Sequence, residues 1–263
     1  MESLFELRGK LSSETSTMIS IIGLVSMIGV WQIVCSMGFV NAGILPSPMN
    51  VLSSFKELYY DDALVINCVY SIKLNMLGYA EAIAICLPLG FVIGLFPIFR
   101  EMLSKPLDSI RFIPLPAATG LFIAWWGIDS NMKVQFLACG ITVYLLPVVV
   151  QCVQDVDDTY VQTIQTLTSS RWQAIKRVFI PAVLSAVSTQ IMVLIAISWT
   201  YITVAELVNK TGGVGALAFQ AARQSRVDKV FAVLMIIVII GYVQDITMRI
   251  LDKMIFPHKY VTQ

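Results

Sequence analysis

Two carboxylates stand where side-chain chemistry is possible. Glu206 closes the uncharged run "VFIPAVLSAVSTQIMVLIAISWTYITVA" (178–205), and Glu81 lies inside the apolar stretch 66–99, eight residues after Lys73. An ionisable group in such a run is either solvated at the end of a membrane span or lines a gate or cavity. Trp199 precedes Glu206 by seven residues, nearly the same helical face, so the two are placed to close one passage. Lys73 and Glu81 are about 12 Å apart in helical rise, too far for an ion pair. Trp125 and Trp126 end another apolar run, where interfacial anchoring competes with a place on the passage. Five cysteines (Cys35, Cys68, Cys86, Cys139, Cys152) lack CxxC spacing and read as small buried apolar residues, and the single His258 gives no basis for a metal site. "NKTGGVGALAFQAARQSRVD" (209–228) has glycines for a sharp turn and then a short helix, but no preceding strand and no P-loop lysine. The nucleotide-binding pattern G-x-x-x-x-G-K-[ST] occurs nowhere in the sequence, so any nucleotide chemistry by that route falls to another chain.

The elements that must position these groups are membrane spans. Of 263 residues, 57% are hydrophobic and 13% charged, against roughly 25% charged in soluble domains. Apolar runs long enough to cross a bilayer recur throughout, which implies an all-α polytopic fold. The spacing predicts six spans: 18–40, 66–99, 109–127 (broken early by Pro114 and Pro116), 133–153, 181–206 and 229–255. A charged link covers 100–111, and the stretch after Pro48 is predicted as a short surface helix. Residues 1–17 read as a retained cytoplasmic tail, 18–257 as one transmembrane domain, and 258–263 as a C-terminal tail. Six spans put both termini on one side. The tails and the links at 100–111 and 155–177 hold eleven basic residues against seven elsewhere, which favours that side as cytoplasmic. The net charge of +1 gives no sign of nucleic-acid binding.

One cytoplasmic segment is unlike the rest: "QTIQTLTSSRWQAIKRVFIPAVLSAV" (162–187). Ile164, Leu167, Trp172, Ile175 and Phe179 recur at three-to-five-residue spacing, with Gln165, Ser169, Gln173, Lys176 and Arg177 pointing elsewhere. Ser170 and Gln173 fit a capping box, Asp157 or Asp158 fits an N-cap, and Pro181 fits the first turn of the fifth span. Two short helices meeting at a bend are predicted. They either lie on lipid headgroups, with Arg171, Lys176 and Arg177 at anionic lipid, or seat an apolar stripe in a soluble partner.

The segment resembles the cytoplasmic loop signature of permeases of binding-protein-dependent ABC importers: E-A-A, three residues, G, nine residues, I-x-L-P. The pattern falls on Gln162-Thr163-Ile164, Thr168 and Val178-Phe179-Ile180-Pro181, with only Pro181 identical. "ILPSPMNVLSSF" (44–55), "LPLGFVIGLFPIFREMLSKPLDSIRFIPLPA" (87–117), "SSRWQAIKRVFIPAVLSAV" (169–187) and "ISWTYITVAELV" (197–208) follow in order and are similar to the nitrate/sulfonate/taurine/bicarbonate group of these permeases. The resemblance spans about residues 20–257. It implies a coupling loop, 155–180, that docks on a separate ATPase through Gln162, Ile164, Leu167, Thr168, Ser169, Ser170, Arg171, Trp172, Ile175 and Pro181. It further implies a second permease copy, an extracytoplasmic solute-binding protein met by Arg223 and Arg226, and ATP with magnesium held by the partner ATPase. Glu206 matches the acidic residue of the family's W-x-x-x-V-A-E pattern, which implies a gate role. Where the family has glycine, Thr168 tolerates φ > 0 poorly, so the bend uses ordinary dihedrals or falls on Ser169. Gln162 in place of Glu removes any ion pair made there. The implied cargo is a small oxyanion or sulfonate, with a thiamine-precursor pyrimidine or other small organic nutrient as the alternative. A self-contained secondary transporter or channel and a membrane scaffold remain the rival classes.

Overall fold

The computed structural model describes residues 9, 11–38, 40–167, 170–208 and 212–260. Among them the secondary structure is entirely helical: α1 (Ser13–Ser36), α2 (Pro48–Tyr60), α3 (Leu64–Leu95), α4 (Pro97–Ile110), a 3-10 turn (Leu115–Ala118), α5 (Thr119–Trp126), α6 (Ser130–Gln154), α7 (Asp158–Leu167), α8 (Arg171–Ala174), a π-helical turn (Ile175–Phe179), α9 (Ile180–Val208), α10 (Val214–Arg223), α11 (Val227–Ile255) and a closing 3-10 turn (Pro257–Tyr260). The all-α, multi-span architecture expected from the sequence is present. Five helices are long and apolar enough to cross a membrane, and a bent pair brings the number to six.

The centre is the packing of α3 on α6. Glycines on α3 face branched side chains on α6 at a constant register: Gly78 on Leu137, Gly90 on Val149 and Gly94 on Val153. A methyl added at Gly94 would stand 2.6 Å from Val153 Cβ. Small residues let the backbones approach, the usual device for helix association in lipid. At the other end of the same interface Tyr70 and Ser130 share a 2.7 Å hydroxyl–hydroxyl hydrogen bond. Residue numbers rise together on both helices, so α3 and α6 are parallel. The chain between them must therefore recross the whole layer.

That return corrects the sequence reading. The link at 100–111 is helix α4, and the third span is not one helix over 109–127. Pro97 starts α4, Arg111–Pro114 interrupt it, and α4 meets the 115–126 piece at 90°. A tertiary amide at Pro114 and again at Pro116 removes the donors a straight helix needs there. α5 is only eight residues and is held by a small aromatic core of its own: Leu115, Phe122, Met132, Phe136 and Ala205 are all buried together.

α9 runs antiparallel to α3, since Ser71 bonds Glu206, Asn75 bonds Ser198 and the Tyr79 hydroxyl donates to the Ile191 carbonyl. α11 runs antiparallel to α9, with Trp199 on Gln244 and Ser188 on Lys259. The C-terminal ends of α3, α6 and α11 thus share one end of the bundle with α7, α8 and the start of α9. The opposite end carries α2, α10 and the starts of α3, α6 and α11. The helix predicted after Pro48 is α2, with Ser47 as its N-cap. α1 begins earlier than expected, capped by Ser12, and buries none of its residues in the subunit.

If the parallel register is what fixes the bundle, Gly94→Ala is expected to destabilise by about 1–3 kcal/mol through overpacking. Gly120→Ala, where an added methyl meets nothing within 4 Å, is expected to change little. Thermal unfolding of the purified subunit in detergent compares the two; equal midpoints would contradict the packing argument.

Candidate coupling and translocation sites

At the α7–α8 end the two-helix prediction is half met. Asp157 starts α7: its carboxylate accepts the Thr159 backbone N–H at 2.7 Å, and the Thr159 hydroxyl and N–H hold that carboxyl below the usual range. Ser170 is extended and its hydroxyl accepts the Gln173 N–H at 3.5 Å, the Ser170 half of the expected capping box. The second helix, however, does not stop before the fifth span. Arg171–Ala174, the π-helical turn Ile175–Phe179 and α9 follow one another without a break over 38 residues, so Pro181 sits in the first turn of α9, as expected, while helical structure also extends back beyond it. Pro181 has no N–H to return to residue 177. The π-helical turn just before it loosens the register, and the Ile180 N–H reaches the Ile175 carbonyl instead.

The expected single apolar stripe is divided. Ile164 is 7% exposed and faces the protein, Ile175 and Phe179 are partly buried, and Trp172 is 66% exposed. Among the described members of the stripe, only Trp172 presents a large apolar surface outward, with Gln162, Ser170 and Arg171 exposed nearby in sequence. Leu167 ends α7. Thr168 and Ser169, where the bend was expected to need unusual dihedrals, lie outside the described residues.

At the other end, Glu206 is not solvated at an interface. It is fully buried. Its carboxylate accepts the Ser71 hydroxyl at 2.5 Å and the Gly215 N–H at 2.8 Å. Ser71 in turn accepts the Val214 N–H at 2.9 Å, and Asn67 accepts the Gly213 N–H at 2.7 Å. Lys133, also fully buried, donates to the Gly212 carbonyl at 3.3 Å and supplies a positive charge close to Glu206. Gly212 and Gly213 have φ of 120° and 109°, which L side chains rarely adopt, and this lets the turn fold its amides over the carboxylate. The result pins the start of α10 to α3, α6 and α9 at once. The sequence reading missed Asn67, Ser71 and Lys133 here. A signal existed: Asn67, Ser71 and Asn75 repeat every four residues on one face of an otherwise apolar helix.

Trp199 is 4% exposed, and its indole N–H donates to Gln244 Oε1 at 2.8 Å. It borders a cavity of about 800 Å³ between α9 and α11, with Thr200, Thr203, Leu234 and Gly241 also in its wall. Trp199 and Glu206 are therefore close along α9, but Glu206 turns toward α3 and the 212–215 turn. Trp125 and Trp126 close α5, both ring-packed against Phe122, and Trp125 remains largely exposed. Glu81 accepts the Gln135 amide at 2.8 and 2.9 Å, and no contact joins it to Lys73. Arg226 is committed within the subunit: it pairs with Glu57 and Asp228, both at 2.8 Å, while Lys229 pairs with Asp62 at 2.6 Å. The Arg226 guanidinium, then Lys229, keeps the Glu57 carboxyl below its usual range. Arg223 instead lies 6.0 Å over the Phe219 ring.

Glu206→Ala leaves the buried Gly215 N–H without its acceptor, a loss of about 1–3 kcal/mol. The expected outcome is a lower unfolding midpoint together with faster proteolysis of the segment joining α9 to α10. A variant unchanged in both would show that the turn is held by something else.

Comparison with known proteins gives the chain its context. Residues 86–256 match the family model for the binding-protein-dependent transport system inner membrane component. The chain is 30% identical over 230 residues to an aliphatic sulfonate transport permease protein of Bacillus subtilis, covering 86% of this chain and 82% of that protein. It is 25% identical over 244 residues to a taurine transport system permease protein of Escherichia coli (91% and 89% covered). It is also 25% identical over 248 residues to a nitrate import permease protein of Synechocystis (90% and 88% covered). In fold it is similar to a chain of the methionine ABC transporter in inward-facing conformations, at TM-score 0.60 and 16% identity over 72% of this chain and 94% of that one. A chain of an amino acid ABC transporter gives TM-score 0.55 at 18% identity, over 78% and 97%. The helical bundle with its five to six candidate spans, the matched family model and the near-full-length relatives together place the chain in the family of inner-membrane components of binding-protein-dependent transport systems, as the transmembrane permease subunit of an ABC importer.

Proposed function

We propose that two copies of this chain form the pathway for a small sulfonate or oxyanion, that an ATPase subunit holding ATP and magnesium docks at the α7–α8 end of each copy, and that a solute-binding protein delivers cargo at the opposite end. The observation that carries this reading is the 38-residue helix Arg171–Val208. One continuous helical element, with a π-turn at Ile175–Phe179, begins beside the outward-facing Trp172 and runs to the buried Glu206, passing the cavity wall at Trp199. Movement at a docked ATPase is delivered along it without an intervening loop. Coupling requires the two ATPase states to favour different permease states, and a continuous helix clasped at its far end supplies such a two-state element.

The docking contact centres on Trp172, with Gln162, Ser170 and Arg171 exposed nearby in sequence and with Thr168 and Ser169 as members by sequence alone, while the buried Ile164 and half-buried Ile175 support the segment. The more basic ends of the chain lie with α7 and α8, which favours that end as cytoplasmic and the cell (inner) membrane as the location, with both termini inside. At the opposite end Arg223 is the better candidate for the binding-protein contact, since Arg226 already serves Glu57 and Asp228. Trp199, Trp125, Trp126 and Glu81 are proposed to border the path, and Glu206 to act on it by holding the turn that covers its outer end.

Trp172→Ala is expected to weaken ATPase binding by about 2–4 kcal/mol, as for a buried aromatic anchor. Trp125→Ala, equally exposed but at the other end, is expected to leave it intact. Pull-down of the ATPase with each variant decides the matter; loss with Trp125→Ala, or retention with Trp172→Ala, would place the docking surface elsewhere. Native mass measurement of the assembled complex is expected to give two permease and two ATPase chains, and a transport-competent complex with one permease chain would contradict the paired pathway.

A further inference from the structure

The third crossing is interrupted at a depth where lipid offers a peptide group no partner. Leu115, in the 3-10 turn, reaches α6 at Gly140, where an added methyl would stand 2.9 Å from Leu115 Cδ2. The middle of α6 (130–154) is residue 142. The middle of α3 (64–95) falls between residues 79 and 80, which the 59-residue register sets between 138 and 139 of α6. Gly140 lies between these two midpoints, so Leu115 marks the mid-depth of the bundle. Four residues of extended chain reach at most about 14 Å, and half of the hydrocarbon core is about 15 Å. The break from Arg111 to Leu115 is therefore at membrane depth throughout, although Arg111 counted from the sequence as part of a cytoplasmic link. It is also not packed away. Phe112 is 77% and Ile113 60% exposed, Pro114, Pro116 and Ala117 are exposed, and only Leu115 of the stretch 111–117 is buried. The carbonyls of Arg111, Phe112 and Ile113 accept no hydrogen bond among the described residues. Arg111 and Asp108 meet loosely, at 3.9 Å, with side chains 48% and 57% exposed.

We propose that this break lines the water-filled path between two copies of the chain, and that Arg111 presents its guanidinium to that water. Irregular backbone within a membrane is tolerated only where protein covers it or water reaches it. The subunit itself does not cover this stretch. A dry cover would have to satisfy three carbonyls and a half-exposed guanidinium at once, whereas water satisfies all of them directly. The exposed surface continues from the break through Gly120 and Leu121 to Trp125 at the end of α5, so the break and α5 form one wall. α1 behaves in the opposite way: its side chains are exposed, but its backbone is an unbroken helix, as a lipid-facing element requires. The inference rests on the reading of the chain as half of a paired pathway and adds to it the segment that faces the other half.

The test is thiol labelling of the complete complex, with its ATPase and binding protein, in membranes. Ile113→Cys and Ala117→Cys are each treated with two small water-soluble methanethiosulfonates, one carrying a sulfonate and one a trimethylammonium group. Val25→Cys is the control, at the middle of α1, where no residue is buried in the subunit. The five native cysteines are buried or half-buried, so the unsubstituted chain supplies the baseline. Only a hydrated thiol ionises to the reactive thiolate, so both path positions are expected to label about tenfold or more faster than Val25→Cys. Their rates are expected to differ about threefold or more between the nucleotide-free complex and one held with a non-hydrolysable ATP analogue, since the two states open the path differently. Adding Arg111→Gln to Ile113→Cys is expected to lower the ratio of anionic to cationic labelling about threefold, because the guanidinium attracts the anionic reagent. Labelling no faster than the control at both positions, in a complex that still hydrolyses ATP, would overturn the inference and leave the paired pathway standing. Rapid labelling that ignores nucleotide would overturn it as well, and an unchanged ratio with Arg111→Gln would remove Arg111 from the path. A chain that purifies without any ATPase would remove the paired-pathway reading and the inference together.

Discussion

The fold depends on one constraint: α3 and α6 pack in parallel, glycine against branched side chain, at a fixed register. Two adjacent parallel helices cannot be joined by a short loop, so residues 96–129 have to return across the bundle. They do so as a bent and broken crossing rather than a straight one, because prolines at 114 and 116 deny a continuous ladder. That return leaves α5 short and packed against α6 and α9 through Phe122, Phe136 and Ala205. It also brings the starts of α3, α6, α10 and α11 to a single end, where the polar groups gather.

The second organising element is the long helix from Arg171 to Val208, which is tied at its middle and at its far end. At the middle, Lys259 donates to Ser188 at 2.6 Å and to Asp252 at 3.2 Å, and the Tyr260 hydroxyl donates to Asp252 at 2.6 Å. The closing 3-10 turn of the chain is thereby fastened across α9 and α11. At its far end Glu206 is held by Ser71 and Gly215. Between the two, Asn75, Ser198 and Gln244 form a buried polar relay joining α3, α9 and α11. In an apolar solvent such groups have no water to turn to, so each requires a partner within the protein, and satisfying them fixes which helix faces meet.

The same rule explains the unequal treatment of the charges. Lys133, Glu206, Lys229 and Asp252 are buried and partnered within the subunit. Lys73 and Glu81 differ in that their nearest opening is a groove rather than a packed interior.

Apolar run length settled the fold class, most span boundaries, the surface helix after Pro48 and the short helix after the glycine turn. These depend on local composition and on where proline and glycine interrupt a helix. The Ser170 cap and the Asp157 cap were legible for the same reason, each being a contact across three residues or fewer. The sequence placed Pro181 in the first turn of the fifth span but did not reveal that a π-turn would join that span to the preceding helix without a break, because a π-turn depends on whether the packing on both sides holds the helix together. Nor did it tell that Ile164 turns inward while Trp172 turns outward, since a period identifies an apolar stripe but not which members the rest of the chain covers. Glu206 shows the difference most plainly. Its position at the end of an apolar run is a one-dimensional fact compatible with solvation, but whether water reaches it was decided by Ser71, 135 residues away, and by a glycine turn whose dihedrals let two N–H groups close over that corner. Burial is a property of what arrives from elsewhere in the chain, and only the tertiary structure contains it.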